Sequence, residues 1–256
     1  MTQVIIMGSG PGVLKAQGWQ KAQGQVLVAI NNAWRVRNDW DVLIHPEDFP
    51  AERHPDFLLP WQRIVTAQDY VPHQNALGGF VYAGGTMAFT SAYWALRALR
   101  PKVIAMIGCD MVYPATGRTH FYGKGEADPL RDDVTLRSLE AKAARLMALA
   151  AKAGCAMVNL SDAPDSRLVY PRATRGELGA VRPHAFDPRL VEAALRAEAE
   201  AGYFVASGRY WQEAARFDPA VIDRIDALWR AAAEVRSDLP YGTGPSDRFP
   251  ALRQNG

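Results

Sequence analysis

The chain has 256 residues, of which 48% are hydrophobic and 22% charged, so it can bury one large core and is not a disordered chain. Its formal net charge is only +2 and it has no long run of lysine and arginine, which argues against nucleic acid as a partner. No apolar run approaches the ~18 residues of a membrane-spanning helix, and no basic leader precedes an apolar stretch. We therefore expect a cytoplasmic protein without a membrane span.

Short apolar segments alternate with longer segments of helical periodicity along the chain. The pattern predicts strands at residues 4–7, 26–30, within 40–49, and at 80–82, 103–107 and 156–160. It predicts helices at residues 13–23, 84–99, 134–154, 188–202 and 219–236. This alternation indicates an α/β fold, Rossmann-like and doubly wound, with a mainly parallel sheet and C-terminal helices. The expected organisation is a first domain over 1–175, a helical extension over 176–236 and a flexible tail over 237–256.

Two further features concern loops and thiols. Cys109 and Cys155 each lie beside an apolar segment, which predicts buried thiols and neither a disulfide nor a metal site. Residues 108–133 form a long stretch rich in Gly, Pro, Asp, Thr and His. A segment of that length without regular structure is expected to be a functional loop or disordered.

The first strand runs into the glycine-rich turn "GSGPG", residues 8–12. A dinucleotide fingerprint is disfavoured because Val13 replaces its third glycine and because Asn31 and Asn32 stand where an acid is expected. No Gly-Lys-Ser/Thr follows, so it is not a P-loop. The turn is then either a phosphate cradle with free N–H groups or a tight corner without a ligand. If it is a cradle, a Cβ at Gly10 would block the phosphate and leave the fold largely intact.

Polar residues follow the other predicted strands, and the carboxyl ends of parallel strands are where ligands bind in such sheets. Asn31 and Asn32 are either ligand contacts or ordinary turn formers. Asp110 either contacts a nucleotide or Mg²⁺, or caps a backbone turn. His45 with its acidic neighbours forms either an oxygen-rich metal group or a solvated loop. His120 is either a functional side chain or a satisfied loop histidine.

Five segments, in order and spacing, carry a resemblance to a known superfamily: "IIMGSGP", "VAINNAW", "YAGGTMAFTSAYWALRAL", "VIAMIGCDMVY" and "GRTHFYG". The chain resembles the superfamily that joins the MptE-like proteins to the bacterial family 42 sialyltransferases, over about residues 3–170. The MptE-like proteins include 6-hydroxymethylpterin diphosphokinase and flagellin-glycosylation accessory factors. The resemblance implies a Rossmann-like domain that binds a nucleotide, either a CMP-sugar donor or ATP.

The resemblance also implies which residues bind the nucleotide. They come from the first glycine turn, the end of the second strand, the turn before the central helix, the Gly-x-Asp after the fifth strand and the loop after the sixth. They are Gly8, Ser9, Gly10, Pro11, Asn31, Asn32, Gly84, Gly85, Thr86, Gly108, Asp110, Ser161, Asp162 and Ser166.

The chain departs from the sialyltransferases at one functional position. Lys124 stands where those enzymes have a catalytic-base histidine, and a protonated lysine is a poor base at neutral pH. His120, four residues earlier, is the candidate substitute, with Asp110 as a second catalytic candidate.

Three functions remain open at this point. The first is a transferase that moves a sugar from a CMP-type donor to a small-molecule or glycan acceptor, without an obligatory cofactor. The second is an ATP-dependent diphosphokinase, in which Mg²⁺ would meet Asp110. The third is a nucleotide-binding accessory protein without turnover.

Overall fold

The computed structural model of the chain describes residues 2–114, 116–125 and 131–234, and its centre is a sheet of six parallel strands. The strands are β1 (Gln3–Met7), β2 (Gln25–Ile30), β3 (Val42–Ile44), β4 (Arg63–Val65), β5 (Val103–Ile107) and β6 (Ala156–Asn159). Their order is β4-β3-β2-β1-β5-β6, so the chain builds from β1 to one edge and then returns to add β5 beside β1. This reversal leaves a crevice at the carboxyl ends of β1 and β5.

Both faces of the sheet are covered. The α-helices are α1 (Ala67–Asn75), α2 (Phe80–Ala83), α3 (Met87–Ala98), α4 (Leu139–Lys152), α5 (Pro188–Ala201) and α6 (Pro219–Ala233). On β1, Val4 and Ile6 pack in one core with α3 and α4, whereas Ile5 and Met7 pack with the 3-10 helices Pro11–Gly18 and Asn31–Val36. Burial on both faces explains why the strands are continuous apolar runs. The predicted α/β doubly wound, Rossmann-like fold is confirmed.

Helices α5 and α6 pack against each other, and α6 packs on α4. Two buried cations of α4 find their counter-ions there. Lys142 Nζ lies 2.7 Å from Asp226 Oδ1 on α6, and Arg145 Nε lies 2.7 Å from Glu198 Oε1 on α5. The C-terminal helices therefore supply the charges that make a buried lysine and arginine tolerable.

Several elements differ from the sequence prediction. Residues 80–82, predicted as a strand, lie in the helix α2, because Gly79 and Gly84 at positive φ (84° and 87°) turn the chain on either side of a short apolar run. The predicted helix over 13–23 is instead the 3-10 helix Pro11–Gly18. The pattern did not predict β4 or α1. The helix predicted over 134–154 is split, with a 3-10 turn at Val134–Leu136 and a new cap at Ser138, whose side chain accepts a hydrogen bond from the N–H of Ala141.

Parts of the predicted loop 108–133 (residues 115 and 126–130), the end of the last predicted helix (235–236) and the predicted tail 237–256 lie outside the described residues. Within the described ranges, no helix is both long and apolar enough to cross a membrane. Cys109 and Cys155 are buried free thiols, as predicted, and burial raises the pKa of each.

Candidate functional site

A cavity of about 730 Å³ lies at the carboxyl ends of β1, β2, β3 and β5, where the strand order reverses. Its lining includes more than half of the residues predicted to bind a nucleotide or to catalyse: Gly8, Ser9, Gly10, Asn31, Asn32, Thr86, Gly108 and His120. The other predicted residues lie outside this lining: Pro11, Gly84, Gly85, Asp110, Ser161, Asp162 and Ser166. The expectation that ligands bind at the carboxyl ends of parallel strands thus locates the cavity, but it does not separate the residues that line it from residues of neighbouring loops.

The glycine turn after β1 packs tightly against the turn after β5. The N–H groups of Gly8 and Gly10 donate to the carbonyl oxygens of Ile107 and Gly108, both at 2.8 Å. A Cβ on Gly8 or Gly10 would lie only 2.4 or 2.8 Å from the Gly108 oxygen. These amides are therefore occupied, and the glycines permit a close approach of two backbone segments. This contact supports the tight-corner alternative for the glycine turn.

The amino end of helix α3 forms another wall of the cavity. The side chain of Thr86 caps the helix by accepting a hydrogen bond from the N–H of Phe89 at 3.3 Å. Met87 and Ala88, the first two residues of α3, line the cavity. The amides of a first helical turn have no partner within the helix, and the helix dipole is positive at this end. This wall is suited to an anionic group such as a phosphate.

The turn that leads into α3 is anchored from two distant segments. Gly85 donates its N–H to Thr135 Oγ1 (3.0 Å), and its carbonyl accepts a hydrogen bond from Arg131 Nη2 (2.9 Å). The hydroxyl of Tyr210 donates to Asp133 Oδ2 (2.7 Å) and accepts from Arg131 (2.9 Å). A Cβ on Gly85 would lie 2.0 Å from that hydroxyl. Gly85 therefore serves this network and does not face the cavity.

Asn31 and Asn32 line the cavity where β2 ends. Asn31 adopts a left-handed conformation (φ 51°), which asparagine tolerates better than most residues. The Oδ1 atoms of both side chains are buried and have no hydrogen-bond partner among the described residues. Because an unpaired buried acceptor is costly, these two oxygens are suited to the hydroxyl or amino groups of a ligand.

His120 lines the cavity from the loop after β5 and is 8% exposed. The loop is fixed to the first glycine turn, because the N–H of Phe121 donates to the Ser9 carbonyl at 2.9 Å. The His120 ring stacks on Tyr122 and lies 2.9 Å through Nδ1 from Thr119 Oγ1. Burial lowers the pKa of His120 below its ordinary value of 6.5, which favours the neutral imidazole.

The hydroxyl of Thr119 is the hydrogen-bond partner of His120 Nδ1. Thr119 Oγ1 accepts a hydrogen bond from the Gly125 N–H (3.1 Å) and donates to the Gly125 carbonyl (3.4 Å). The His120 tautomer with the proton on Nδ1 donates to Thr119 and leaves the lone pair on Nε2, whereas the other tautomer accepts at Nδ1 from the Thr119 hydroxyl. Lys124, the residue at the sialyltransferase base position, is exposed on the same wall.

Asp110 belongs to a separate hydrogen-bonded group at the ends of β5 and β6. Its Oδ1 accepts a hydrogen bond from Asn159 Nδ2 at 3.1 Å and lies 4.0 Å from Arg172 Nη1. Asn159 also donates to Ser166 Oγ (3.0 Å), and its own Oδ1 accepts from the N–H of Ser161 (3.0 Å). These groups bond to one another and brace the loop after β6. Asp162, farther along that loop, forms an ion pair with Lys15. Pro11, in the glycine turn after β1, is exposed.

The segment after β3, which the sequence analysis placed at a strand end but did not assign to the nucleotide, supplies another wall. Pro46, Asp48, Phe49, Pro50 and Arg53 all line the cavity. His45, at the start of this segment, is 6% exposed, so the solvated-loop interpretation is wrong for this residue, although the side chains of residues 47 and 48 are exposed. The local pattern of apolar and polar residues did not predict that Phe49, Pro50 and Arg53 would line the cavity.

Similarity to known proteins adds nothing to these geometric observations. No family model matches the chain, and no curated protein or solved structure shows significant similarity to it.

Proposed function

We propose that this protein is a nucleotide-dependent transferase, and specifically a glycosyltransferase that uses a CMP-type nucleotide-activated sugar. The observation that carries the proposal is the meeting of three groups on one cavity: the amino end of α3, the unpaired carboxamide oxygens after β2, and the buried His120. Each is suited to a different part of a nucleotide-sugar and its acceptor.

The proposed roles follow from the chemistry of each wall. The first-turn amides of α3 hold the phosphate, and Asn31 and Asn32 accept hydrogen bonds from ribose hydroxyls or the base amine. The acceptor hydroxyl gives its proton to His120 Nε2 as its oxygen forms the new glycosidic bond. The bond between the sugar carbon and the phosphate oxygen breaks, and the nucleotide leaves with that electron pair. The positive end of α3 stabilises the charge that develops on the phosphate.

The placement of Asp110 favours this function over the diphosphokinase alternative. A Mg²⁺-dependent kinase needs a carboxylate beside the phosphates. Asp110, the carboxylate that the resemblance implies for Mg²⁺, lies outside the cavity lining and is hydrogen-bonded to Asn159 through Oδ1. An accessory protein would use the same cavity without the proton transfer, so only a measurement of turnover separates it from an enzyme.

Binding and turnover are tested separately. CMP is expected to raise the melting temperature more than UDP, GDP, ATP or NAD, and a ligand at ~100 times Kd contributes about 2.7 kcal/mol. With CMP-N-acetylneuraminate as donor, His120→Gln is expected to keep CMP affinity and to lower hydrolysis or transfer by roughly 10²-fold or more. His73→Gln, on α1 and outside the cavity lining, is the matched control.

Three results would contradict the proposal. Stabilisation by NAD alone would show that the missing acid after β2 does not exclude a dinucleotide. Full turnover in His120→Gln would show that His120 is not the general base. Nucleotide binding without turnover, with every donor tested, would favour the accessory function.

A further inference from the structure

Two histidine rings lie against each other behind the wall formed by the segment after β3. His45 directly follows β3, and its ring centroid lies 4.6 Å from that of His54, with the planes inclined by 58°. Phe49 contacts both rings, at centroid distances of 5.1 Å and 5.3 Å. This aromatic contact holds the two imidazoles in place next to the cavity, because Phe49 is also part of the cavity lining.

One nitrogen of each ring, Nε2, is not satisfied by the described residues. His45 Nδ1 lies 2.8 Å from the carbonyl oxygen of Pro46, which can only accept, so Nδ1 carries the proton and Nε2 carries the lone pair. The Nε2 atoms of both His45 and His54 are buried and have no hydrogen-bond partner among the described residues. Two buried nitrogens without partners, on rings whose centroids lie 4.6 Å apart, require an explanation, since such groups are rare and costly.

A metal ion would satisfy both nitrogens at once. Histidines that bind metals usually donate the other ring N–H to a carbonyl or carboxylate, as His45 does to Pro46. Zinc binds imidazole nitrogen at about 2.0–2.1 Å, which places two chelating rings with their centroids about 5 Å apart. The observed separation of 4.6 Å is compatible with this geometry.

We propose that His45 and His54 form a binding site for a borderline divalent transition-metal ion such as Zn²⁺, with Nε2 of each ring as ligand. The described residues contain no group of three or more His, Cys, Asp and Glu side chains placed to hold a metal. The two imidazoles are therefore the protein ligands, and water or an oxygen of a bound molecule completes the coordination. Imidazole ligands favour Zn²⁺, Ni²⁺ and Co²⁺ over Mg²⁺ and Ca²⁺.

The site is independent of the proposed transferase function. None of its ligands is among the groups assigned to the nucleotide or to proton transfer. It lies at the end of β3, in register with the end of β2, where Ile44 pairs with Ile30. Metal binding can thus succeed or fail whatever the outcome of the nucleotide experiments.

The test uses the untagged full chain, freed of metal with a chelator and titrated with ZnCl₂ and, separately, with CoCl₂. We expect saturable binding of one Zn²⁺ per chain, a Co²⁺ absorption band with imidazole ligands, and no binding of Mg²⁺. His45→Gln and His54→Gln should each weaken Zn²⁺ binding by roughly 10-fold or more. His73→Gln and His184→Gln are the matched controls and should bind as the wild type does.

Nuclear magnetic resonance of the metal-free chain adds an independent measurement. The His45 ring should show the tautomer with the proton on Nδ1, and Zn²⁺ should shift the Nε2 resonances of His45 and His54 and leave those of His184 unchanged. The absence of saturable Zn²⁺ binding, or binding that survives His54→Gln, would overturn the proposal. If His45→Gln does not fold, the half-buried His54 decides the matter, since its replacement disturbs less of the core.

Discussion

The glycine turn after β1 allows a graded test of whether its glycines serve packing or phosphate binding. A Cβ on Gly8 would lie 2.4 Å from the Gly108 oxygen and 2.6 Å from Cys109 Sγ, and one on Gly10 would lie 2.8 Å from the same oxygen. Gly12, in the same turn, is the matched control, because the nearest atom to its Cβ would be Ser161 Oγ at 3.8 Å. The three alanine variants should therefore differ in a fixed order.

The contacts set the size of each effect. Overpacking typically costs about 1–3 kcal/mol, and we expect Gly10→Ala within that range and Gly8→Ala at or above its upper end, because two backbone segments must separate. Gly12→Ala should be neutral or stabilise by about 0.4–1 kcal/mol, because alanine restricts the unfolded chain. In a protein of this size, 1 kcal/mol shifts the melting temperature by about 2–4 °C.

Urea unfolding followed by circular dichroism, with scanning fluorimetry on the same samples, measures all three variants. Equal stability of Gly10→Ala and Gly12→Ala would refute the packing argument. If Gly10→Ala is as stable as the wild type but no longer binds CMP, the phosphate-cradle interpretation is the correct one.

Three further predictions concern the buried charges, the anchor of α3 and the histidines. Arg145→Met should cost about 3–5 kcal/mol in urea unfolding, because it leaves a carboxylate of α5 buried and unpaired, whereas Arg167→Met, in an exposed pair, should cost less than about 1 kcal/mol. Tyr210→Phe removes the hydroxyl that holds Arg131 and Asp133 beside the turn before α3, and we expect a loss of about 1–3 kcal/mol by thermal unfolding together with weaker CMP binding in calorimetry. Burial lowers the pKa of His45 and His120 below 6.5, so the unfolded chain binds more protons below that pH and stability should fall as the pH drops from about 7 to about 5. Between pH 7 and pH 5 the urea midpoint should decline less in the double variant His45→Gln/His120→Gln than in the wild type. The same dependence of the midpoint on pH in both proteins would count against buried neutral imidazoles.

The sequence was sufficient for the strands that are buried on both faces, because each is a continuous apolar run; β1 and β5 are followed by a glycine and β2 by an asparagine. It was insufficient for β4, which has only three residues, one of them the exposed Arg63. It also missed α1, whose polar composition and internal Pro72 hide a helix that begins with a capping box at Thr66. Short apolar runs such as residues 80–83 fit a strand or a helix equally, and only the surrounding contacts decide between them.

The candidate site shows the same division between local pattern and tertiary contact. The sequence located Asn31 and His120, because strand ends and glycine-rich loops can be recognised locally. It could not separate Asp110 from the cavity, because that depends on the direction in which the loop after β6 folds and on the side chain of Asn159. Nor could it place His45 against His54, since a turn of the intervening chain brings the rings together.

The two ion pairs between α4 and the C-terminal helices have a consequence for synthesis on the ribosome. Lys142 and Arg145 leave the exit tunnel well before Glu198 on α5 and Asp226 on α6, so for that interval two cations destined for the interior have no counter-ions. Their desolvation is costly without partners, so α4 should not dock fully on the sheet until α6 has been made. A chain that stalls or is cleaved before that point should expose the apolar face of α4 and become a substrate for chaperones and proteases.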